Sequence, residues 1–262
     1  MFLRGQLPWK QLYLRMQSMF LKSCREKSFS PGFFKHKKLF MSLYKLTNDN
    51  SLPFIPSPAG LKIKECYDAG MLAAMGGTTT EEIKKRFSNE HVAFVAFINN
   101  VPAGFGWMAR GKAFIGELNH EMVLPVANRY LWNFRTMEAF RGMGIYPALL
   151  QFIIQFEQKT ADTFWIIHAP ENKASLRGIQ KAGFEYVGKI YSNSGAPTIE
   201  ATTNSILNKK LLEEMDIIIS KDETVSCWNC SSPYLKKRKE ECCCQPEMTH
   251  CFGNNLKTFV VA

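Results

Sequence analysis

Apolar and polar side chains along the first half of the chain predict short strands and helices joined by tight turns. Apolar residues alternate with lysines over 61–66, which is typical of a strand. Thr79 stands three residues before Glu82, the spacing of a helix capping box, and the helix is predicted to continue through Phe87. Asn99-Asn100 separates two apolar runs and predicts a β-hairpin over 91–108, because asparagine tolerates the positive φ of a two-residue turn.

Longer apolar stretches fill the second half. Strands are predicted over 113–124 and 129–136, and a helix over 143–156, where apolar side chains recur at helical spacing. A buried strand, a helix that ends at Gly183 and two closing strands follow, at 164–167, 175–182, 184–191 and 198–207. Because strands and helices do not alternate regularly, the pattern predicts an α+β fold rather than a doubly wound one.

Basic residues are concentrated at the start of the chain. The formal net charge is +10, and the first 47 residues carry ten Lys or Arg against one acid, Glu26. We assign 1–55 to a basic extension and linker, 56–212 to the main domain and 213–262 to a Cys-rich tail. A basic arm favours weak contact with nucleic acid or an anionic membrane. A solvated extension, an organelle transit peptide, or initiation at Met19 or Met41 are the alternatives.

No apolar run is long enough to span a membrane, so the sequence predicts no transmembrane segment. Arg4, Lys10 and Arg15 interrupt the apolar core that a secretory signal would need. The cysteines are also not spread through the fold as in a secreted disulfide framework, since six of the eight follow residue 226. These features together predict a cytoplasmic protein.

The cysteine tail has the composition of a metal site. Cys227 and Cys230 form a CxxC pair, and a basic linker separates them from Cys242-Cys243-Cys244 and His250-Cys251. Two groups of soft ligands suit tetrahedral zinc. An iron–sulfur site, a redox pair and a tail of unpaired thiols are the alternatives. The predicted zinc ligands are Cys227, Cys230, Cys242, Cys244 and Cys251.

Two glycines stand where the strand over 129–136 leads into the helix over 143–156. In Arg141-Gly142-Met143-Gly144 the glycines allow backbone amides to converge, and the N-terminus of the new helix adds its partial positive charge. The segment therefore predicts a phosphate-binding turn. It has neither the three glycines of a dinucleotide fold nor the Gly-Lys-Ser/Thr of a P-loop, so the turn alone does not identify the ligand.

A second group of residues makes the pattern more specific. Asn172 follows the strand over 164–167, Ser175 stands three residues later, and Gly183-Phe184 closes the next helix. With Arg141 and Gly144 in an Arg/Gln-x-x-Gly-x-Gly/Ala motif, residues 60–205 resemble the GNAT acetyltransferase superfamily. The resemblance implies a mixed, mostly antiparallel central sheet flanked by helices. It also implies direct transfer of an acetyl group from acetyl-CoA to an amine acceptor within a ternary complex.

The resemblance further implies roles for individual residues. Backbone amides from Arg141 to Tyr146 would hold the CoA pyrophosphate, while Thr136, Met137 and Asn172 would hydrogen-bond the pantetheine arm. The implied cofactor-binding set is Thr136, Met137, Arg141, Gly142, Met143, Gly144, Ile145, Tyr146, Asn172 and Ser175. Two positions depart from the family pattern. Tyr146 replaces the last Gly or Ala of the motif, and Ile179 stands where many members carry a tyrosine that protonates the leaving thiolate.

A protonated amine acceptor would need a general base. The candidates are His168, at the end of the strand over 164–167, and Glu117 and Glu121, on the predicted strand over 113–124. The three tryptophans of the strands are expected to pack in the core rather than line an acceptor pocket, since large aromatic residues in strands are mostly core; they are Trp107, Trp132 and Trp165.

The sequence also leaves a second function open. A GNAT-like domain that binds CoA without catalysis could serve as a nucleic-acid or protein interaction module through the basic arm and the zinc tail.

Overall fold

Alternating apolar side chains build a large sheet in this computed structural model, which describes residues 40–48, 51–116, 118, 120–169, 172–193 and 196–221. Its strands are β1 Met41–Thr47, β2 Leu61–Glu65, β3 Val92–Ile98, β4 Val101–Ala109, β5 Lys112–Ile115, β6 His120–Val123, β7 Asn128–Thr136, β8 Thr163–His168, β9 Glu185–Asn193, β10 Ala196–Glu200 and β11 Ile218–Ser220.

Within the described residues, nine of these strands form one sheet in the order β11-β10-β9-β1-β8-β7-β4-β3-β2, and β5 pairs with β6 alone. Neighbours run antiparallel except for the pairs β7–β8 and β10–β11. The predicted mixed, mostly antiparallel sheet is confirmed. The hairpin turn is confirmed as well, since Asn99 and Asn100 have φ values of 48° and 66°.

The helices are α1 Ala69–Gly76, α2 Thr80–Ser88, α3 Ile145–Glu157, α4 Lys173–Lys181, α5 Thr203–Leu207 and α6 Lys209–Glu214. The predicted start of α2 is confirmed, because the Thr79 side chain accepts a hydrogen bond from the Glu82 amide at 3.2 Å. The Glu82 carboxylate does not close the box but pairs with Arg86. The sequence pattern does not predict α1, because its residues are nearly all apolar or glycine and give no amphipathic stripe.

Strand β1 corrects the predicted boundary of the N-terminal extension. Met41–Thr47 lies inside the segment assigned to the basic arm, yet it pairs antiparallel with both β8 and β9. Its apolar side chains are buried on both faces of the sheet, with Leu43 at 1% and Leu46 at 4% exposure. A strand with neighbours on both sides is part of the core, so the main domain includes residues well before 56.

The predicted strand over 113–124 is also wrong, because the chain turns back on itself there. Lys112 pairs with Val123 and Ile115 with His120, which makes a two-stranded hairpin of β5 and β6. The apolar residues on one side of the hairpin, Ala113, Ile115 and Met122, are buried in the core. Both arms alternate, so the sequence pattern resembles one continuous strand.

Side chains from alternate positions of the sheet pack on opposite faces. On one face, which we call the α3 face, Phe94, Leu131 and Ile166 pack with residues of α3 and α4. On the other, which we call the α2 face, Ala93, Val95 and Trp107 pack with residues of α1 and α2. Trp107 and Trp165 have no exposed surface, which confirms the prediction that they are core residues. Trp132 is only partly buried.

Candidate active site

The candidate site lies where two neighbouring parallel strands separate. β7 and β8 are in register from Asn128–Thr163 to Leu131–Ile166, and the pairing then stops although β7 continues to Thr136. We call the gap beyond this last pair the split. Backbone groups of β7 that face β8 in the split have no strand partner in the described part of the chain, so they are available to a bound molecule.

A β-bulge in β7 begins at the same place. Trp132 is opposite Trp107 and Arg135 is opposite Phe105, so β7 has one more residue than β4 in this interval. Asn133 lies within the bulge and has a φ of 49°, in the left-handed region. Bulges bend a strand and re-aim its backbone and side chains, and they are frequent beside active sites.

The predicted phosphate-binding turn connects β7 to α3. Gly142 and Gly144 have φ values of 82° and 78°, which non-glycine residues adopt at a cost, and a Cβ on either would meet nothing within 4 Å. Among the described residues, the amides of Gly142, Met143, Gly144, Ile145 and Tyr146 make no hydrogen bond. The third helical residue, Pro147, has no N–H to satisfy. We call residues 141–146 the cradle.

Tyr146 fits into the cradle because a glycine on α4 leaves room for its ring. A Cβ on Gly178 would lie 2.3 Å from the Tyr146 ring. The ring also packs against Phe134, with centroids 5.3 Å apart, and its hydroxyl lies 3.3 Å from the Ser175 hydroxyl. Burial raises the pKa of Tyr146 to about 12, and the hydrogen bond with Ser175 offsets only part of that rise. Tyr146 is therefore protonated at neutral pH.

Gly178→Ala should consequently destabilise the protein by about 1–3 kcal/mol, because the new methyl group forces the Tyr146 ring out of its position. The double variant Gly178→Ala/Tyr146→Ala should recover part of that loss, since the clash disappears. Urea unfolding of the two single variants and the double variant measures the coupling. If the losses in free energy of unfolding of the two single variants added up to that of the double variant, Gly178 and Tyr146 would not be energetically coupled.

Asn172 is placed at the start of α4 rather than reaching freely into the split. Its side-chain oxygen accepts a hydrogen bond from the Ser175 amide at 3.0 Å and caps the helix. The cap explains why Ser175 follows Asn172 at a spacing of three residues; the resemblance had assigned Asn172 to the pantetheine arm. The side-chain amide of Asn172 keeps its N–H donors.

The backbone groups of Met137 are already hydrogen-bonded, so they are less available to the pantetheine arm than predicted. Its amide donates to the Ala103 carbonyl at 2.8 Å, and its own carbonyl accepts from Phe140. The Met137 N–H is thus used in holding the end of β7 against β4. Thr136, the last residue of β7, is half-buried beside the split.

His168 is the candidate base that the structure places at the split. It lies two positions beyond Ile166, the last β8 residue paired with β7, and it is only 3% exposed. Its Nε2 is 2.9 Å from the Asn172 carbonyl, which can only accept, so Nε2 carries the proton. Nδ1 is then an acceptor in the neutral ring, and it is buried without a partner. The ring faces Tyr44 edge-on on the α3 face.

The other candidate bases are not assembled with His168 in the described residues. Glu121 pairs with Lys112 at 3.1 Å on the exposed side of the β5–β6 hairpin. Glu117 lies outside the described residues. Ile179, on α4, is fully buried in the core between α3 and the sheet. Its apolar side chain cannot protonate a leaving thiolate.

A cluster at the start of the split was not predicted. Trp132 is the first residue beyond the last β7–β8 pair, and its ring contacts those of His91 and Trp107. Arg86 lies over both tryptophan rings. The four residues come from α2, β4, β7 and the segment before β3, so no local motif marks them. The only sequence signal is a large aromatic residue a few positions before the glycine motif.

The predicted zinc ligands Cys227, Cys230, Cys242, Cys244 and Cys251 lie outside the described residues, so zinc binding stays a prediction. In the described ranges, no group of three or more His, Cys, Asp or Glu is placed to hold a metal ion. None of the helices in those ranges combines the length and apolarity that crossing a membrane requires.

The chain was compared with known proteins. Three solved structures show likeness: GCN5-related N-acetyltransferases from Kribbella flavida and Sphaerobacter thermophilus, and an acetyltransferase from Clostridium acetobutylicum solved with acetyl-CoA. Each is 14% identical, with TM-scores of 0.42, 0.44 and 0.34. They cover 58%, 67% and 48% of this chain, which spans 56%, 53% and 90% of theirs.

The chain thus spans little more than half the length of the first two of these proteins. No match was found among curated proteins. Residues 64–184 match the sequence model of the acetyltransferase (GNAT) family. The matched range includes the hairpin, the split, the cradle and the start of α4. Over this range, which is just under half of the chain, the sequence is similar to the acetyltransferase (GNAT) family.

Proposed function

We propose that this protein transfers an acetyl group from acetyl-CoA to an amine acceptor, directly and within a ternary complex. The observation that carries the proposal is the placement of two sets of unpaired backbone groups on one connected segment. The unpaired edge of β7 lies in the split, and the free amides of the cradle follow after the short turn over 137–141. A ligand with a diphosphate and an extended arm fits such a path.

The residues of the cradle suit a diphosphate. Five free amides and the N-terminus of α3 supply hydrogen bonds and partial positive charge, and the open space before Gly142 and Gly144 admits the phosphate oxygens. Arg141 adds an exposed guanidinium, held only loosely by Glu138 at 4.0 Å. Ser175 and the Asn172 amide lie beside the cradle, where they can contact the arm.

Acetyl transfer requires hydrogen-bond donors for the carbonyl oxygen of the thioester. It also requires a proton to leave the amine and a proton to reach the departing thiolate. Acetyl-CoA supplies an acetyl group in a reactive thioester. Backbone N–H groups at the bulge of β7 can polarise its carbonyl, as donors fixed in place before the reaction. His168 lies on β8, which borders the split, and its Nδ1 is buried without a partner; we assign proton transfer to it. Tyr146, protonated at neutral pH, is placed to donate a hydrogen bond beside the cradle.

The arrangement of faces sets the direction from which an acceptor arrives. The cradle opens at the start of α3, on the α3 face, so CoA occupies that side of the split. The acceptor then approaches from the α2 face, where no cofactor group stands in its way. This leaves room for both molecules at once, which a direct transfer needs.

The experiment that tests the function is acetyl transfer to a panel of primary amines. Purified protein, acetyl-CoA and each amine should release free CoA, detected by its thiol, together with an acetylated amine of the expected mass. Pre-incubation with acetyl-CoA alone should leave the protein mass unchanged, because direct transfer forms no acetyl-enzyme. Binding of CoA without transfer to any amine would instead support the inactive binding module.

The inactive binding module would use the same cradle and split to bind CoA, so the transfer assay is what separates the two functions. Contacts of the basic arm with nucleic acid or membrane, the zinc tail and a cytoplasmic location stay predictions. They fall on residues outside the described ranges or are properties that the fold does not report.

A further inference from the structure

Three buried ring nitrogens without a hydrogen-bond partner lie in one aromatic cluster on the α2 face. Among the described residues four buried side-chain polar atoms have no partner, and three of them are Nδ1 of His91 and Nε1 of Trp107 and Trp132. The His91 and Trp132 rings are 5.3 Å apart, and the Trp107 and Trp132 rings 6.0 Å. A buried polar group without a hydrogen bond destabilises a fold, so three together need an explanation.

The hydrogen-bonding roles of these nitrogens are fixed by their surroundings. His91 Nε2 is 3.1 Å from the Lys112 carbonyl, which only accepts, so Nε2 is the donor and Nδ1 carries a lone pair. Burial lowers the pKa of His91, with the Arg86 charge acting in the same direction and the Lys112 carbonyl opposing, which keeps the ring neutral. Both indole nitrogens are donors only. The cluster thus offers an acceptor beside donors.

This combination excludes two of the commonest polar groups. A carboxylate cannot donate to the Nδ1 lone pair of His91. An ammonium cannot accept from the indole N–H groups, because all of its N–H groups are donors. A hydroxyl oxygen does both tasks, since it accepts from an indole N–H and donates to Nδ1.

The position of the cluster connects it to the reaction. Trp132 directly precedes the bulge residue Asn133, and both lie in the split. The cluster is on the α2 face, from which the acceptor approaches if the proposed function holds. Arg86 is itself neutralised by Glu82 at 3.1 Å, so the cluster carries no net charge to offer a charged ligand.

We infer that His91 and Trp132, packed on the buried Trp107, form a subsite for a hydroxyl group of the acceptor, and that the acceptor is a hydroxyl-bearing amine. The inference rests on the proposed function for the direction of approach. The hydroxyl donates to Nδ1 of His91 and accepts from an indole N–H. The same hydrogen-bonding roles can be filled by a water molecule, which the experiment must distinguish.

The test compares amines in matched pairs, with and without a hydroxyl: ethanolamine against ethylamine, and trans-2-aminocyclohexanol against cyclohexylamine. Each is titrated into the full-length protein, with and without CoA, and followed by tryptophan fluorescence and calorimetry. The hydroxyl-bearing member of each pair should bind about tenfold more tightly, as one well-formed hydrogen bond implies. Trp132→Phe and His91→Phe should each remove the preference.

The matched control is His120→Phe. His120 also directs Nε2 at a carbonyl, that of Met215 at 3.2 Å, but it lies on β6 away from the split. It should leave the preference unchanged. Equal binding of both members by the wild-type protein, or no binding of either, would overturn the inference and assign the cluster to a water molecule. Loss of CoA binding alone would count against the cradle instead, because the titrations without CoA still report on the subsite.

Discussion

Gly144→Glu is expected to weaken CoA binding by a hundredfold or more. The new side chain would occupy the open space in front of the cradle amides, where a Cβ now meets nothing within 4 Å. It would also place a carboxylate against the diphosphate, and like charges in close contact cost several kcal/mol, equivalent to about two or three decades in Kd. Calorimetric titration of CoA into the variant measures the change.

Gly111→Glu provides a matched control for that experiment. Gly111 lies between β4 and β5 with a φ of 70°, close to the 78° of Gly144, and a Cβ there also meets nothing within 4 Å. Both variants therefore pay a similar backbone strain and add the same charge. Only Gly144→Glu should lose CoA. If the two variants bound CoA with equal affinity, the cradle would not be part of the CoA-binding site.

The second large effect is expected at Glu157, the last residue of α3. This carboxylate is 3% exposed and pairs with both Arg129 and Arg110, while the Thr160 hydroxyl donates to it at 3.0 Å. Glu157→Ala should lower the free energy of unfolding by about 3–5 kcal/mol, because it leaves the buried Arg129 without its counter-charge. Urea unfolding followed by circular dichroism gives the difference.

The same network predicts how stability depends on pH. Burial raises the pKa of Glu157, but the hydrogen bonds and charges of Arg110 and Arg129 outweigh it and hold the pKa below the ordinary 4.5. A carboxyl group whose pKa is lower in the folded state stabilises the fold above its ordinary pKa. That contribution is lost as the pH falls through the folded value. Glu157→Gln should remove this part of the acid destabilisation.

Glu121→Gln separates the effect of burial from that of charge removal. Glu121 pairs with Lys112 at 3.1 Å, but both side chains are more than 60% exposed. An exposed ion pair contributes at most about 1 kcal/mol, so this variant should unfold close to wild type. If it lost as much stability as Glu157→Gln, charge alone rather than the buried network would explain the result.

Local features were the most predictable part of this chain. The hairpin at Asn99-Asn100, the cap at Thr79 and the glycine turn at 142–144 all appear as expected. Each depends on interactions between residues close in sequence, such as a positive φ or a side chain that reaches an amide three positions away. Short-range physics of this kind can be worked out from sequence alone.

Two elements were mispredicted because their partners are distant in sequence. β1 pairs with β8 and β9, more than a hundred residues later, and nothing within 41–47 identifies those partners. The β5–β6 hairpin has the alternation of a single strand, and only pairing reveals the turn between its arms. The basic residues around β1 also hide its strand pattern, because a segment rich in Lys and Arg is expected to be a solvated extension.

The sequence by itself determined that glycines would open a turn between a strand and a helix, because a positive φ there depends mainly on residue type. Only the tertiary structure decided that β7 and β8 separate after Leu131, that Gly178 makes room for Tyr146, and that His91 meets Trp132. These contacts join residues from different elements. Their energies depend on burial and pairing, which no local pattern of residues can fix.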